Sequence, residues 1–252
     1  MLKQTKRQGA VDIATYIMSD IHGDLLSFNK MMEKIDFKEG EDFLIVNGDV
    51  LDRGEHGIEL LLRIKKMVEN GHALMLKGNH ELFAQRYMEG ALSEREWTLY
   101  SGAASLKSLK ELDEAERNGL LEFIRTLPIY IEREIAKYGN AVITHTGLMD
   151  SCLVTGQDEK IDVVESIKKA AENNEDDLLI SADIHYWGRD QLMKLDKFIV
   201  CGHVPTYQLG PEYTGKIMEA RSYMNIDVGT VYRKYGGKLA CICIDSGSVW
   251  YV

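Results

Sequence analysis

The chain has few prolines, few cysteines and no long apolar run. Its 252 residues include only three prolines and four cysteines, so no proline-rich linker marks a domain boundary. The cysteines lack CxxC spacing, which argues against a thiolate metal site and a disulfide scaffold. No apolar run approaches the roughly 18 residues that span a bilayer, and no signal-peptide core follows the basic start. We therefore expect one cytoplasmic domain over residues 1–252, without a membrane partner.

Positive charge is also in short supply. The formal net charge is −10, which argues against sequence-independent nucleic-acid binding, because that affinity comes from Lys and Arg neutralising phosphates. A phosphate-bearing substrate is still compatible with this balance, since bound divalent cations would supply local positive charge.

The first third of the chain alternates between strand and helix patterns. We predict strands over 13–18, 43–46 and 72–76, with helices over 25–35 and 58–68 between them. Asp24 is placed to cap the first of these helices. Consecutive β-α-β units predict parallel strands, so the three carboxyl ends should face the same way.

The rest of the chain changes character twice. Residues from about 81 to 127 have a helical pattern throughout, and Pro128 ends it. A hairpin is predicted over 129–144 through Tyr138-Gly139-Asn140, and an acidic, helix-prone segment follows over 158–183. Its run Glu172–Asp177 is interpreted as a solvated face. Four short β segments follow, and Cys241 and Cys243 should share one strand face as small buried hydrophobes.

Polar side chains follow each of the first three predicted strands. The stretches are Asp20-Ile21-His22-Gly23, Gly48-Asp49-Val50-Leu51-Asp52-Arg53-Gly54 and Gly78-Asn79-His80-Glu81. On an extended backbone, residues 20 and 22 would point to one side. Each residue singly has an ordinary alternative as a helix cap or turn residue. Together, oxygen and nitrogen donors without thiolate indicate one site for Mn, Fe, Zn or Mg.

These stretches resemble the three signature motifs of the calcineurin-like metallophosphoesterases. The Asp52-Arg53-Gly54 ending is similar to the phosphoprotein phosphatase branch of that family. Later segments also resemble it, so the similarity runs from about Tyr16 to the C-terminus. These segments are Thr144-His145-Thr146-Gly147, Gly202-His203-Val204-Pro205-Thr206, Tyr186-Trp187-Gly188-Arg189-Asp190 and Asn225-Ile226-Asp227-Val228-Gly229.

The resemblance implies an α/β fold in which two packed mixed β-sheets are flanked by helices. It also implies two divalent metal ions, with Mn²⁺ favoured and Fe, Zn or Mg as alternatives. The implied ligands of the first metal are Asp20, His22 and Asp49. Those of the second are Asp49, as a bridge, with Asn79, His145 and His203.

The resemblance further implies that His80 protonates the leaving group and that Asp52 orients it. Arg53 and Arg189 would bind the phosphoryl oxygens, as planar bidentate donors do well. Lys77 stands where many members have arginine, and no role is assigned to it. His185 matches no motif and is interpreted as a surface or packing residue.

The implied activity is phosphoester hydrolysis by a metal-bridging hydroxide. A serine/threonine protein phosphatase-like phosphomonoesterase is favoured, acting on a phosphorylated protein or a small phosphoester. The alternative is a symmetrical bis(5'-nucleosyl)-tetraphosphate hydrolase. A catalytically silent metal-binding module is the non-enzymatic alternative, and the presence of both Arg53 and His80 argues against it.

Overall fold

The computed structural model describes residues 14–156 and 158–252, and the first of its two sheets has five strands. These are β1 (Thr15–Met18), β2 (Phe43–Asn47), β3 (Ala73–Leu76), β9 (Ala240–Cys243) and β10 (Val249–Tyr251), in the order β10-β9-β1-β2-β3. β1, β2 and β3 are parallel, whereas β9 runs antiparallel to β1. The predicted parallel arrangement is confirmed, although Ile13 of the predicted first strand lies outside the described residues.

Two crossover helices connect these parallel strands. Helix α1 (Leu25–Lys34) begins after Asp24, whose side chain accepts a hydrogen bond from the Ser27 backbone N–H at 2.9 Å. Asn70 caps the carboxyl end of helix α2 (Gly57–Glu69), and Gly71 follows with a φ of 77°. Such a left-handed residue is the usual helix stop, and both predicted helices are therefore present.

Four helices form the block after β3. They are α3 (Asn79–Met88), α4 (Glu94–Leu99), α5 (Ala103–Glu111) and α6 (Glu114–Thr126). The block begins two residues earlier than the predicted start at 81, because the Glu81 carboxylate accepts a hydrogen bond from the Gly78 N–H and caps the helix from within. Asn79 and His80 thus occupy the first turn of a helix.

The second sheet also has five strands. These are β4 (Tyr130–Ile135), β5 (Gly139–Thr144), β6 (Phe198–Cys201), β7 (Met218–Ala220) and β8 (Tyr223–Asn225), in the order β4-β5-β6-β8-β7. β5, β6 and β8 are parallel. The predicted hairpin of β4 and β5 is present, but Gly139 and Asn140 pair with Ile135 and Glu134 as strand residues instead of forming its turn.

The helices of the second half are α7 (Val163–Ile180) and α8 (Arg189–Leu192). Helix α7 is kinked at Asn174, whose backbone is non-helical. The Asn174 side-chain oxygen accepts a hydrogen bond from the Asp176 N–H, so it caps the second part of the helix. The described residues contain no helix long and apolar enough to cross a membrane.

The two sheets pack face to face through one apolar layer. Ile17 and Ile45 of the first sheet share this layer with Ile143 and Val200 of the second. Strand alternation sends neighbouring side chains to the opposite face, where the helices pack. Cys241 and Cys243 both face that helical side, as predicted, and all four cysteines are buried free thiols. Cytoplasmic location and a single domain over 1–252 stay predictions.

Candidate metal centre

Polar residues follow five parallel strands and meet where the two sheets adjoin. Asp20 and His22 follow β1, Asp49 follows β2, and Asn79 follows β3. His145 and His203 follow β5 and β6 of the other sheet. Parallel α/β sheets hold ligands outside the carboxyl ends of their strands. Here the carboxyl ends of strands from both sheets meet at one place.

The loops that place these residues are not extended. Asp20, His22 and Asp49 have φ values of 54°, 49° and 54°, and His203 has 74°. The expectation of an extended backbone at 20–22 is therefore wrong. Left-handed conformations of this kind cost energy, and they cluster at functional sites where the surroundings hold them in place.

Asp49 lies at the centre of the site. Its Oδ2 is 3.7 Å from His22 Nε2 and 3.8 Å from His80 Nε2, and its Oδ1 is 3.3 Å from His145 Nε2. Among the described residues, no hydrogen-bond donor reaches the buried Oδ2 atom. Two candidate metal groups share this carboxylate: one with His22 and His80, the other with His145 and His203.

Backbone carbonyls orient two of the histidines. His22 Nδ1 lies 2.9 Å from the Leu51 carbonyl oxygen, and His145 Nδ1 lies 2.8 Å from the Asn47 carbonyl oxygen. A proton on Nδ1 would satisfy each carbonyl and leave Nε2 as the electron-pair donor that faces Asp49.

Asn79 and Asp20 connect the two histidines of the second sheet to the first. Asn79 Oδ1 lies 3.2 Å from His145 Nε2 and 2.9 Å from His203 Nδ1. The backbone N–H of His203 donates to both carboxylate oxygens of Asp20 at 3.1 Å. Each sheet therefore holds a donor of the other in position.

Glu81 fixes the loops after β2 and β3 relative to one another. Its carboxylate accepts hydrogen bonds from the N–H groups of Asp49, Val50, Leu51 and Gly78, at 2.8–3.2 Å. Burial and the neighbouring Asp49 charge raise the pKa of Glu81 to about 7, although the amide donors oppose the rise. Gly78 is required here, because a Cβ at this position would collide with the Asp49 carboxylate.

His80 belongs to a hydrogen-bonded chain beside the donors. Its Nδ1 is 2.7 Å from Asp52 Oδ2, and Trp97 Nε1 donates to the same oxygen at 2.9 Å. Burial lowers the pKa of His80, but the Asp49 and Asp52 carboxylates outweigh this and raise it above its usual value. The arrangement favours a ring that carries a proton.

The two arginines differ in their placement. The Arg53 guanidinium contacts His22 Nε2 and lies 5.5 Å from the centre of the Tyr232 ring, which puts it at the edge of the site. Arg189 begins α8 and is exposed. In the part of the chain that the structure describes, no hydrogen bond or ion pair joins Arg189 to the other predicted site residues.

Lys77, which had no assigned role, and His185, which was interpreted as a surface or packing residue, are both buried. Lys77 Nζ lies 3.0 Å from Glu175 Oε1, and Arg86 makes a bidentate pair with Asp176. Part of the acidic run therefore joins α7 to the first half of the chain and is not simply solvated. The His185 ring lies 2.6 Å from the Tyr223 hydroxyl, through Nδ1.

The donor set fits a divalent cation. Burial lowers the pKa of His22 and brings that of His203 to about 3, so both are in the neutral form that binds metals. Burial also opposes protonation of His145, but the Asp49 and Asp20 carboxylates raise its pKa to about 10. A cation could replace that proton, and oxygen and imidazole donors without thiolate suit Mn, Fe, Zn or Mg.

Some contributors were not predicted from the sequence. The Asn47 carbonyl, the Trp97 indole and the Tyr232 ring each contact a predicted residue. Trp97 comes 45 residues after Asp52 and inside the helical block, where nothing in the local pattern indicates a link to the site.

Comparison with known proteins identifies the family. The calcineurin-like phosphoesterase family model matches residues 13–237, and the chain belongs to this family. The symmetrical bis(5'-nucleosyl)-tetraphosphatase of Nitrosospira multiformis is 27% identical over 163 residues, which are 65% of this chain and 54% of that protein. The asymmetrical enzyme of Bacillus velezensis is 32% identical over 143 residues, covering 52% and 55% respectively.

The chain thus spans about half the length of these curated relatives. Among solved structures, a serine/threonine phosphatase from Saccharomyces cerevisiae superposes with a TM-score of 0.58 at 14% identity, covering 96% of this chain and 79% of that one. A cold-active protein tyrosine phosphatase from Shewanella gives 0.56 at 14% identity, covering 100% and 86%. The expected two-sheet α/β fold is confirmed.

Proposed function

We propose that this protein is a metal-dependent phosphoester hydrolase and that the reaction takes place beside Asp49. The observation that carries the proposal is the Asp49 carboxylate, which is shared by two groups of donors and has one buried oxygen without a hydrogen-bond partner. The His80–Asp52 pair beside it supplies a positioned proton.

Two divalent ions would be held by the predicted donors. Asp20, His22 and Asp49 would bind one, and Asp49, Asn79, His145 and His203 the other. Bound there, the ions would lower the pKa of a water molecule and neutralise charge on the phosphoryl group. Mn²⁺ is proposed as the metal, and Fe, Zn and Mg fit the same donor chemistry.

The chain's own groups would act on the leaving oxygen and on the phosphoryl oxygens. His80 Nε2 lies on the Asp49 side of the ring, so it can pass a proton to an alkoxide leaving from that centre. Asp52 and Trp97 keep the ring in place. Arg53 would release His22 and bind the phosphoryl oxygens, where developing charge is best stabilised. Arg189 is proposed to reach the same group from α8.

The motif resemblance favours a phosphomonoester substrate, as in serine/threonine protein phosphatases. A second candidate is the symmetrical hydrolysis of dinucleoside tetraphosphates, because curated relatives carry that name. Both reactions would use the same metal donors and the same proton donor. Residues beyond the metal centre therefore decide between them.

The test uses the full chain, stripped of metal with a chelator and reloaded with Mn²⁺. We expect hydrolysis of p-nitrophenyl phosphate, and absence of turnover with every divalent metal would contradict the proposal. Rates on a phosphoserine peptide and on diadenosine tetraphosphate, measured side by side, would then choose between the two candidates.

A further inference from the structure

Three tyrosines form a cluster next to Arg53. Tyr207 and Tyr235 are stacked, with ring centres 5.2 Å apart and planes inclined by 25°. Tyr232 meets the edge of Tyr207 at 5.7 Å, and the Arg53 guanidinium lies over the Tyr232 ring at 5.5 Å. Through Arg53, the cluster is continuous with the metal centre, because the same guanidinium contacts His22.

The chain holds this cluster close to the metal donors. Tyr207 lies in a short helix, Thr206–Gln208, just after His203. Tyr232 follows a tight turn in which its N–H donates to the Gly229 carbonyl. A Cβ at Gly229 would lie 3.3 Å from the Tyr207 ring, and its φ is 77°. Glycine at this position therefore lets the two loops come together.

Two cationic side chains lie beside the cluster, and part of the cluster is open to solvent. The Lys234 amine lies 4.8 Å from the centre of the Tyr235 ring, and Tyr235 is 49% exposed. A groove of about 540 Å³ begins at Arg53 and is lined by Leu26, Val231, Arg233 and the acidic residues Asp24 and Glu55, while the three tyrosines lie outside its lining. Arg53 and Lys234 thus lie beside the rings on a chain whose net charge is −10, whereas Arg233 is paired with Asp24 at 3.0 Å.

We propose that Tyr207, Tyr232 and Tyr235, here called the tyrosine cluster, bind the base of a nucleoside-bearing phosphoester substrate. This rests on the proposed hydrolase function and specifies its substrate class. Stacked aromatic faces suit a planar base, and every base offers such a face. Arg53 and Lys234 lie beside those rings, where the phosphates of the same molecule would need charge. When a base stacks on Tyr235, the long Lys234 side chain can turn to a phosphate.

A phosphopeptide is the competing substrate class. It has no planar group that must accompany its phosphate, so its binding would not depend on stacked rings. The cations suit either substrate, and the rings favour the nucleoside.

The test compares two ligands that differ only in the base. AMP and ribose 5-phosphate compete with p-nitrophenyl phosphate on the Mn²⁺-loaded full chain, and nitrophenol release gives the inhibition constant of each. We expect AMP to bind about tenfold more tightly than ribose 5-phosphate, as one stacked base allows. Y235L should remove most of that preference, and Y235W should retain it.

Y138L is the matched control. Tyr138 is also stacked, 3.8 Å from Phe198, and also lies beside a lysine amine. It lies at the amino end of β5, opposite the end that bears His145. We expect Y138L to keep the wild-type preference for AMP.

Three results obtained with an active wild-type enzyme would overturn the proposal. One is equal binding of AMP and ribose 5-phosphate by the wild-type protein. The second is a preference for AMP that is unchanged both in Y235L and in the double variant Y207L/Y232L, once circular dichroism has shown that the double variant is folded. The third is an equal loss of kcat/KM in Y235L on a phosphoserine peptide and on diadenosine tetraphosphate, because the cluster would then not select the nucleoside. If the wild type shows no turnover with any metal, the hydrolase function itself fails, and the cluster proposal with it.

Discussion

The two sheets contribute unequally to the candidate metal centre. The first sheet supplies Asp20, His22, Asp49 and Asn79, and its loops are joined by the Glu81 carboxylate through backbone hydrogen bonds. The second sheet supplies two histidines, and each is tied to the first sheet. His145 faces the Asn47 carbonyl, and the His203 N–H donates to Asp20. The loops of the first sheet that Glu81 joins are here called the frame of the site. The two histidines of the second sheet complete the proposed donor set.

The sharpest test of this division is to change one donor from each sheet. We expect D49N to bind neither ion and to show no measurable turnover, because both candidate groups share Asp49. H203N should lose only the ion that His203 would help to bind. Metal analysis of the purified proteins measures both outcomes. Retention of both ions by D49N, or loss of both by H203N, would contradict the division.

The next largest effect concerns a first-sheet residue outside the proposed ligand set. H80N should lower kcat by about 10²–10⁴-fold while metal content stays at the wild-type value, because the proton donor is removed and the ligands are not. Steady-state kinetics and metal analysis check this together. Since His80 Nε2 lies 3.8 Å from Asp49 Oδ2, loss of metal in H80N would make His80 a ligand.

Removal of one oxygen from the frame should reduce stability. E81Q replaces a carboxylate oxygen with a donor, and two of the four backbone N–H groups lose their acceptor. Each buried unpaired donor costs about 1–3 kcal/mol. Urea denaturation of metal-free protein measures the free energy of unfolding. The control is E172Q, an exposed glutamate on α7, and equal stability of the two variants would show that Glu81 does not hold the frame.

The smallest effect is expected at the junction between the halves. E175Q removes the charge that pairs with the buried Lys77, which follows β3. The partly exposed glutamine can still accept a hydrogen bond from Lys77 Nζ, so we expect a loss of about 1 kcal/mol. We expect this decrease in the free energy of unfolding, with kcat unchanged. A large fall in kcat, absent from E172Q, would place Lys77 in the reaction.

The sequence predicted what is local in the chain. The strand and helix periods set the order of β1, β2 and β3, and each polar motif directly follows its strand, so the proximity of the proposed donors of the first sheet could be predicted. Contacts between distant segments have no such period. The Trp97–Asp52 bond and the Lys77–Glu175 pair depend on how helices pack, and the pattern within either segment does not specify a partner.

The sequence also failed to predict the backbone conformation at Asp20 and His22. Asp20 and His22 are separated by one residue, which on a strand places both on one side. Their left-handed φ values accompany hydrogen bonds to the loop after β2, where the Asp20 backbone N–H donates to the Gly48 carbonyl and the His22 backbone N–H to the Asp49 carbonyl. Tertiary hydrogen bonds therefore override the extended preference, and only the folded chain shows them.

The position of β1 has a consequence for the order of assembly. This strand lies between β2 and β9, and Tyr16 pairs with Cys243 near the other end of the chain. While the ribosome makes the protein, one edge of β1 stays unpaired until every proposed metal donor has emerged. An open strand edge invites association with other chains, and pairing over such a distance is slow. We therefore expect completion of the first sheet, and with it metal loading, to wait until β9 has emerged.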